Sequence, residues 1–223
     1  MYSQTEENYI KAIHRLNQRE LEGASTKAIA EALDTQASSV TDMLQKLSDK
    51  GLVHYQRYKP PQLTDKGKVE AMRIVRKHRL WETFLVEKLG FGWDEVHELA
   101  EELEHIRSHR LTDRLDRFLD HPRYDPHGDP IPDQDGRMEK REEVLLTEIP
   151  EGETARIVGV RDSSAELLRY LDRTGLILGT HVKAVEQFQF DGSRLLEKEK
   201  GERLSISYQV AQNLYVKPEK GEQ

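Results

Sequence analysis

The sequence predicts a mainly α protein that ends in a small β-barrel, and three observations support this prediction. Apolar residues recur at helical spacing through the first fifty residues. Two longer helical segments occupy the middle of the chain, on either side of the glycine-containing stretch "GFGW". From about Val144 the pattern changes to alternating strand-like segments with one helix, "SSAELLRYLDRTG", among them, which is typical of a small β-barrel.

The composition fits a globular protein and excludes several kinds of site. The chain has 223 residues, of which 34% are charged and 36% hydrophobic, and its formal net charge is −7. It contains no cysteine, so it has no disulfide, thiolate zinc site or cysteine nucleophile. No apolar run reaches the roughly 20 residues of a membrane span, and the opening "MYSQTEENYI" lacks the apolar region of a signal peptide. We therefore expect a cytoplasmic protein with no membrane partner.

Residues 1–66 predict a winged helix-turn-helix, a DNA-binding fold. The segments "TEENYIKAIHRL", "STKAIAEALD" and "TQASSVTDMLQKLSDKG" carry apolar residues at helical spacing, with Ser25 as the N-cap of the second and Gly51 as the stop of the third. Two short helices joined by a tight turn form the helix-turn-helix pattern, in which the later helix is the recognition helix. The segment "LVHYQRYKPPQLT" follows, and its strand-like ends and basic tip predict the wing.

The exposed face of this recognition helix and the tip of the wing are the expected DNA contacts. Polar side chains on the helix suit base edges, and basic side chains in the wing suit phosphates. Residues 1–66 contain nine basic residues (Lys and Arg) and nine acidic residues (Asp and Glu). The order of the elements therefore favours DNA binding more than the charge does. The alternative is an ordinary helical bundle with a polar third helix. The expected DNA-contacting residues are Gln36, Ser38, Ser39, Thr41, Asp42, Gln45, Arg57 and Lys59, with Tyr58 beside them.

The rest of the chain divides at a proline- and glycine-rich stretch. Residues 67–122 are expected to form a second helical domain, with one long helix before "GFGW" and another from about Asp94 to Leu119. The segment "HPRYDPHGDPIPDQDG" predicts a linker without regular structure over residues 123–143. Residues 144–223 are expected to hold the barrel, with strands in "ETARIVGV", "HVKAVEQF" and "RLSISYQV".

A polar stripe on the helix after "GFGW" predicts a metal site. His97, Glu101, Glu104 and His105 stand at offsets of zero, four, seven and eight, which fall on one helical face, apart from an apolar stripe on roughly the other side. No Lys or Arg occurs between residues 97 and 106, so this face repels itself unless a cation occupies it.

A matching pair on the preceding helix supports this prediction. His78 and Glu82 are also four residues apart, so side-by-side packing of the two helices would join two His/Glu faces. Oxygen and neutral imidazole ligands without sulfur suit Mn(II) or Fe(II) and do not demand zinc. Two alternatives are an acidic surface patch whose histidines bind no metal, and a catalytic metal that activates water. The sequence contains no nucleophile elbow or phosphate-binding loop, which favours a regulatory metal over a catalytic one.

The chain resembles the diphtheria-toxin-repressor family over nearly its whole length, and especially the manganese-responsive, three-domain members. The segments "RKHRLWETFLV" and "VHELAEELEH" resemble the metal-binding helices, "RYDPHGDPIP" resembles the linker, and the C-terminal segment resembles the SH3-like domain related to FeoA. The resemblance implies a homodimeric regulator, not an enzyme, that needs Mn(II) to bind a palindromic double-stranded DNA operator and that usually represses metal-uptake genes. An Fe(II)-dependent repressor is the alternative, and Co(II), Zn(II) or Cd(II) are expected to substitute in vitro.

The resemblance also implies two metal sites. Glu101 stands where the iron-responsive members have a cysteine, which favours manganese. Asn8 replaces an expected aspartate, Asp125 replaces a cysteine, and Lys11 replaces a glutamate of the two-domain manganese regulators, which argues against their paired-metal arrangement. The expected principal site is Asn8, His78, Glu101, Glu104 and His105, the second site is Glu82, Asp125, His127 and Asp162, and His97 is an ancillary ligand.

Overall fold

The computed structural model describes residues 2–19, 23–139 and 142–219. The chain forms two compact units, and the predicted fold class, mainly α with a small C-terminal domain of β-strands, is confirmed. No helix within the described residues is both long enough and apolar enough to cross a membrane. The first unit contains Met1–Trp81, Ala100–Arg117 and Ile131–Met138, and the second contains Glu82–Leu99, Phe118–Pro130 and Glu139–Gln223.

The first unit begins with three helices and a two-stranded hairpin, in the order that the sequence predicts for a winged helix-turn-helix. Ser25 caps the second helix, because its Oγ accepts the N–H of Ala28 at 3.0 Å. Ile13 of the first helix and Leu44 of the third are fully buried in the core of this domain. The elements are α1 (Gln4–Arg19), α2 (Thr26–Ala32), α3 (Ala37–Asp49), β1 (Val53–His54) and β2 (Gln62–Leu63).

A buried carboxylate connects α1 with α3, the recognition helix. Ser3 and Glu6 form a reciprocal cap at the start of α1: the N–H of Ser3 donates to Glu6 Oε2 at 2.9 Å, and the N–H of Glu6 donates to Ser3 Oγ at 3.3 Å. The other carboxylate oxygen of Glu6 lies 2.6 Å from Lys50 Nζ and 3.0 Å from Lys46 Nζ. Both lysines stand at the C-terminal end of α3, so Glu6 ties that end to α1.

Three further helices follow the wing. The helix predicted before "GFGW" is confirmed as α4 (Asp65–Leu89), and it ends at Gly90, whose φ of +75° favours glycine. The single helix predicted from about Asp94 to Leu119 is wrong, because two helices occupy that span. They are α5 (Val96–Leu103) and α6 (His109–Phe118).

A serine N-cap explains why the predicted helix is divided. Ser108 Oγ accepts the N–H of Leu111 at 3.2 Å and thereby starts α6. Ser108 is thus the sequence signal for the break between α5 and α6, and the apolar periodicity of the surrounding residues obscured it. Glu104 and His105 consequently lie in the turn after α5 and not within a continuous helix.

The second unit contains a six-stranded antiparallel sheet with the strand order β3–β8–β4–β5–β6–β7. Three of its strands, β3, β6 and β8, were not predicted. The predicted strand "RLSISYQV" ends at Ile206, because Ser207 Oγ accepts the N–H of Val210 at 3.2 Å and starts a short helix. The elements are β3 (Val144–Leu145), β4 (Thr154–Val160), α7 (Ala165–Thr174), β5 (His181–Gln187), β6 (Arg194–Lys198), β7 (Arg203–Ile206), α8 (Tyr208–Ala211) and β8 (Leu214–Glu219).

The segment between α6 and β3 is irregular, as predicted. Its described residues form no helix or strand beyond an isolated bridge between Tyr124 and Pro130. Gly128 has a φ of +85°, and a Cβ there would collide with the carbonyl oxygen of Val158. The carbonyl of His127 accepts the N–H of Val160 at 3.0 Å, so this loop is fixed directly against β4.

Candidate metal centre

The first unit holds carboxylate, imidazole and amide groups on three helices and one turn. Asn8 lies on α1, His78 on α4 and Glu101 on α5, while Glu104 and His105 lie in the turn after α5. His78 Nδ1 lies 2.7 Å from Glu104 Oε2, and the two side chains are 8% and 0% exposed. These five residues are those expected for the principal site.

Two oxygen atoms in this group are buried and have no hydrogen-bond partner among the described residues. They are Asn8 Oδ1 and Glu104 Oε1. A buried oxygen left unsatisfied costs about 1–3 kcal/mol, more when it is charged, so native proteins rarely keep one without a ligand or ion. Both atoms are oxygen donors of the kind that hard divalent cations prefer. The residues present therefore fit a divalent metal site.

Glu7 orients one of the imidazoles in this group. His105 Nδ1–H donates to Glu7 Oε2 at 2.7 Å, which leaves the Nε2 lone pair 3.9 Å from Glu104 Oε1. A carboxylate behind a histidine in this way fixes the tautomer of a metal ligand and raises its basicity. Glu7 was not predicted, and its only signal in the sequence is its place beside Asn8.

Lys11 supplies a cation to the acidic stripe. Its Nζ donates to Glu101 Oε1 at 2.7 Å and to Glu104 Oε2 at 2.6 Å, and it lies 3.2 Å from His78 Nδ1. Lys11 stands one helical turn after Asn8, on the same side of α1. The expectation that the stripe has no basic partner is therefore corrected: the partner comes from a helix about ninety residues earlier in the chain.

A second cluster lies in the second unit. One ligand atom from each of Glu82, Asp125 and His127 lies within 4.8 Å of the others, and all three residues are buried. His127 Nε2–H donates to the carbonyl of Trp93 at 2.7 Å, so Nδ1 faces Glu82 Oε2 at 3.6 Å. Asp125 Oδ1 accepts the N–H groups of His127 and Asp129, each at 2.9 Å, which shapes the loop.

The carboxylates around His127 favour the protonated form of its imidazole. Burial lowers the pKa of His127, but the hydrogen bond and charge of Glu82, the charge of Asp125 and the Trp93 carbonyl outweigh burial and raise the pKa from 6.5 to about 9. The imidazole is therefore protonated at neutral pH. The same buried carboxylates that stabilise this proton suit a divalent cation in its place.

Of the other expected ligands, Asp162 stands apart from this second cluster, whereas His97 lies beside Glu82 at its edge. Asp162 is exposed in the loop after β4, where its carboxylate accepts the N–H of Ser164 at 3.1 Å and the Ser164 hydroxyl at 3.2 Å. His97 is 43% exposed, and its Nδ1 lies 3.4 Å from Glu82 Oε1. The structure therefore assembles three of the four residues expected for the second site.

The predicted DNA-contacting residues lie on the outer surface of the winged helix-turn-helix. Tyr58, at the tip of the wing, is fully exposed. Thr41 is the least accessible of the set on α3, and its hydroxyl donates to the carbonyl of Ala37 at 3.1 Å. The exposed members are Gln36, Ser38, Ser39, Asp42, Gln45, Arg57 and Lys59.

Comparison with family models finds three matches that together span most of the chain. Residues 1–60 match the iron dependent repressor N-terminal DNA binding domain. Residues 64–133 match the iron dependent repressor metal binding and dimerisation domain. Residues 144–218 match the FeoA domain.

Individual relatives extend this similarity over the full arrangement of domains. The iron-dependent repressor IdeR of Mycobacterium leprae (strain TN) is 30% identical over 191 residues, which are 80% of this chain and 82% of that protein. A solved structure of a manganese-dependent transcriptional repressor in complex with manganese is 35% identical, with a TM-score of 0.86, and the match covers 95% of this chain and 99% of that chain. The structure of ScaR with bound Cd2+ is 32% identical, with a TM-score of 0.78 and coverages of 95% and 98%. The chain belongs to the diphtheria-toxin-repressor family of metal-dependent repressors.

Proposed function

We propose that this chain is a Mn(II)-dependent DNA-binding regulator that represses metal-uptake genes and acts in the cytoplasm as a homodimer on a palindromic operator. The observation that carries the proposal is a pair of buried oxygens that accept no hydrogen bond from the described residues, Asn8 Oδ1 and Glu104 Oε1. Similarity to a manganese-dependent repressor supports Mn(II) as the effector. Similarity to an iron-dependent repressor makes Fe(II) the second candidate.

The proposed ligands of the principal site connect the DNA-binding domain to the helices that follow it. Asn8 belongs to α1, whereas His78 belongs to α4 and Glu101, Glu104 and His105 belong to α5 and the turn after it. A bound divalent cation supplies the positive charge that balances the two carboxylates. Ligands on different helices can then hold α1 in one position against α4 and α5.

The connection from α1 to DNA runs through Glu6. Its carboxylate bonds Lys46 and Lys50 at the end of α3, so a fixed α1 also fixes the recognition helix. In a dimer, two recognition helices must match half-sites about 34 Å apart, one turn of B-DNA. A metal that binds this matching arrangement more tightly than the others strengthens DNA binding by the difference in metal affinity. Such coupling is usually about 1–3 kcal/mol, or roughly 5- to 150-fold in DNA affinity.

We infer that Glu82, Asp125 and His127 hold a second divalent ion. Their burial and the fixed orientation of the His127 ring support this assignment. In the full chain, His127→Gln is expected to lower the number of bound Mn(II) ions from two to one, measured by equilibrium dialysis and elemental analysis. A variant that still binds two ions would exclude His127 as a ligand.

Burial of the principal site favours regulation over catalysis. A catalytic metal keeps a coordination position open to water or substrate. Glu104 is 0% exposed and His78 is 8% exposed, so access to this site is restricted. The relatives are transcriptional repressors, in agreement with a regulatory role.

A matched pair of glutamate variants tests the proposed function. Glu104→Gln removes the charge of the buried carboxylate, whereas Glu102→Gln changes an exposed glutamate two residues earlier, in the last turn of α5. Fluorescence anisotropy on DNA selected from a random pool is expected to show a roughly 5- to 150-fold gain with Mn(II) for the native protein and for Glu102→Gln. Glu104→Gln should respond less than about twofold. Full metal response in Glu104→Gln would refute the site, and a series with Fe(II), Co(II), Zn(II) and Cd(II) at equal free concentration would rank the effectors.

A further inference from the structure

Lys11 occupies the position between the carboxylates that a divalent cation would take in the principal site. Its ammonium donates to Glu101 Oε1 and Glu104 Oε2, the two proposed anionic ligands. The lysine side chain is 16% exposed and that of Glu104 is 0% exposed. The ammonium is thus largely buried against Glu104, whereas its second partner, Glu101, is 38% exposed.

A buried, ionised carboxylate is costly unless a cation or hydrogen-bond donors accompany it. Leaving Glu104 ionised and unpaired in the interior would cost several kcal/mol. The Lys11 contact at 2.6 Å supplies the required charge from within the chain. The site can therefore fold with its ligands already gathered before any metal arrives.

Lys11 and a divalent metal compete for the same two carboxylates. A divalent ion bonded to Glu101 and Glu104 and an ammonium within 3 Å of the same oxygens would repel strongly at low dielectric. The four-carbon stem of lysine is flexible, and its ammonium is strongly hydrated once it reaches water. Lys11 can therefore leave the carboxylates without unfolding α1.

We propose that Lys11 is a tethered counter-ion that a divalent metal must displace, and that this competition sets the metal concentration at which the protein responds. The proposal rests on the proposed function, because it takes Glu101 and Glu104 as metal ligands. Lys11 stabilises the metal-free fold and weakens metal binding through the same two contacts. A purely structural lysine would stabilise the fold without opposing the metal.

Two substitutions at Lys11 separate these possibilities. Lys11→Met keeps the length of the side chain without its charge, and Lys11→Arg keeps the charge as a matched control. Both are made in full-length protein that also carries His127→Gln, so that only the principal site binds metal. Free Mn(II) is followed by electron paramagnetic resonance, and thermal unfolding is recorded with and without Mn(II).

Lys11→Met is expected to bind Mn(II) about tenfold more tightly, the equivalent of about 1.4 kcal/mol, and to melt at a lower temperature without metal. Lys11→Arg should stay within about threefold of the lysine protein in Mn(II) affinity. A Lys11→Met protein that folds only when Mn(II) is present also supports the proposal, because the metal then replaces the missing charge.

Three results would overturn the proposal. They are unchanged or weaker Mn(II) binding by Lys11→Met, failure of that variant to fold even with Mn(II), and tighter binding by Lys11→Arg equal to that of Lys11→Met. Failure of the proposed function has a different signature. In that case Glu104→Gln, in the same His127→Gln protein, would titrate with Mn(II) like its parent.

Discussion

Glu6→Gln should destabilise the protein by removing one charge from the contact between α1 and α3. Glu6 is 2% exposed at its side chain and contacts Lys50 at 2.6 Å and Lys46 at 3.0 Å. Glutamine can still accept the N–H of Ser3, because the reciprocal cap works with either residue. The substitution therefore isolates the ionic part of the interaction from the cap of α1.

The magnitude follows from the pKa of Glu6. Burial raises this pKa, but hydrogen bonds from Lys50, from the N–H of Ser3 and from Lys46 outweigh burial and lower the pKa from 4.5 to about 2. That depression corresponds to about 3 kcal/mol of stability at neutral pH. The lysine side chains are 54% and 38% exposed, so solvent screening reduces the expected loss to about 2 kcal/mol.

The pH dependence gives the decisive measurement. A depressed carboxyl pKa contributes stability that is complete above the unfolded value of 4.5 and is lost as the pH falls toward 2. Urea denaturation should therefore show a gap of about 2 kcal/mol between the native protein and Glu6→Gln near neutral pH. The gap should fall to about half between pH 3 and pH 4. Ser3→Ala, which removes the hydroxyl that caps α1, is the control whose deficit should not follow this curve. A Glu6→Gln deficit that stays constant down to about pH 3 would refute the ionic explanation.

Three further outcomes are expected. Gly128→Ala should destabilise the protein and lower second-site Mn(II) occupancy in dialysis, because a Cβ collides with Val158 at a φ of +85°; unaltered occupancy would show that the loop adapts. Mn(II) binding at His127 should release a proton below its pKa of about 9, so the Mn(II) affinity should rise about tenfold per pH unit and level off above pH 9. Calorimetry in buffers of different ionisation enthalpy measures this proton release. A binding enthalpy that is the same in every buffer would contradict the prediction. Ser108→Ala should cost about 1 kcal/mol in urea denaturation through loss of the α6 cap, and no change would exclude that cap as a stabilising contact.

Local periodicity was sufficient to predict the elements that bury one continuous apolar face. The helices of the winged domain and α4 follow directly from spacing, and Ser25 caps α2 as predicted. Strand β6 was missed because its first inward residue is Arg194, whose guanidinium is buried and bonds the carbonyls of Thr147 and Ile149. Arginine usually faces outward from a strand, whereas hydrogen bonds to distant carbonyls make Arg194 an interior residue.

The candidate metal site shows the same division between local and distant information. Spacing within residues 97–106 was enough to identify an acidic and imidazole-rich stripe. It could not reveal Lys11 or Glu7, because their contacts join residues about ninety or more positions apart in the chain. Counting charges along one helix measures repulsion within that helix only, and a neighbouring helix can supply the opposite charge in three dimensions.

Helix α1 therefore contacts both the proposed metal centre and the recognition helix. Residues two apart on a helix point about 160° away from each other, so Glu6 and Asn8 lie on nearly opposite sides of α1. Glu6 faces the end of α3, while Lys11, one turn after Asn8, faces the carboxylates of the metal centre. Because α1 is a rigid element of 16 residues, a force on its metal-facing side also acts on the contact with the recognition helix. Exchange of the Lys11 ammonium for a divalent ion would change the contacts on the first side, and Glu6 would transmit the resulting shift of α1 to the DNA-reading side.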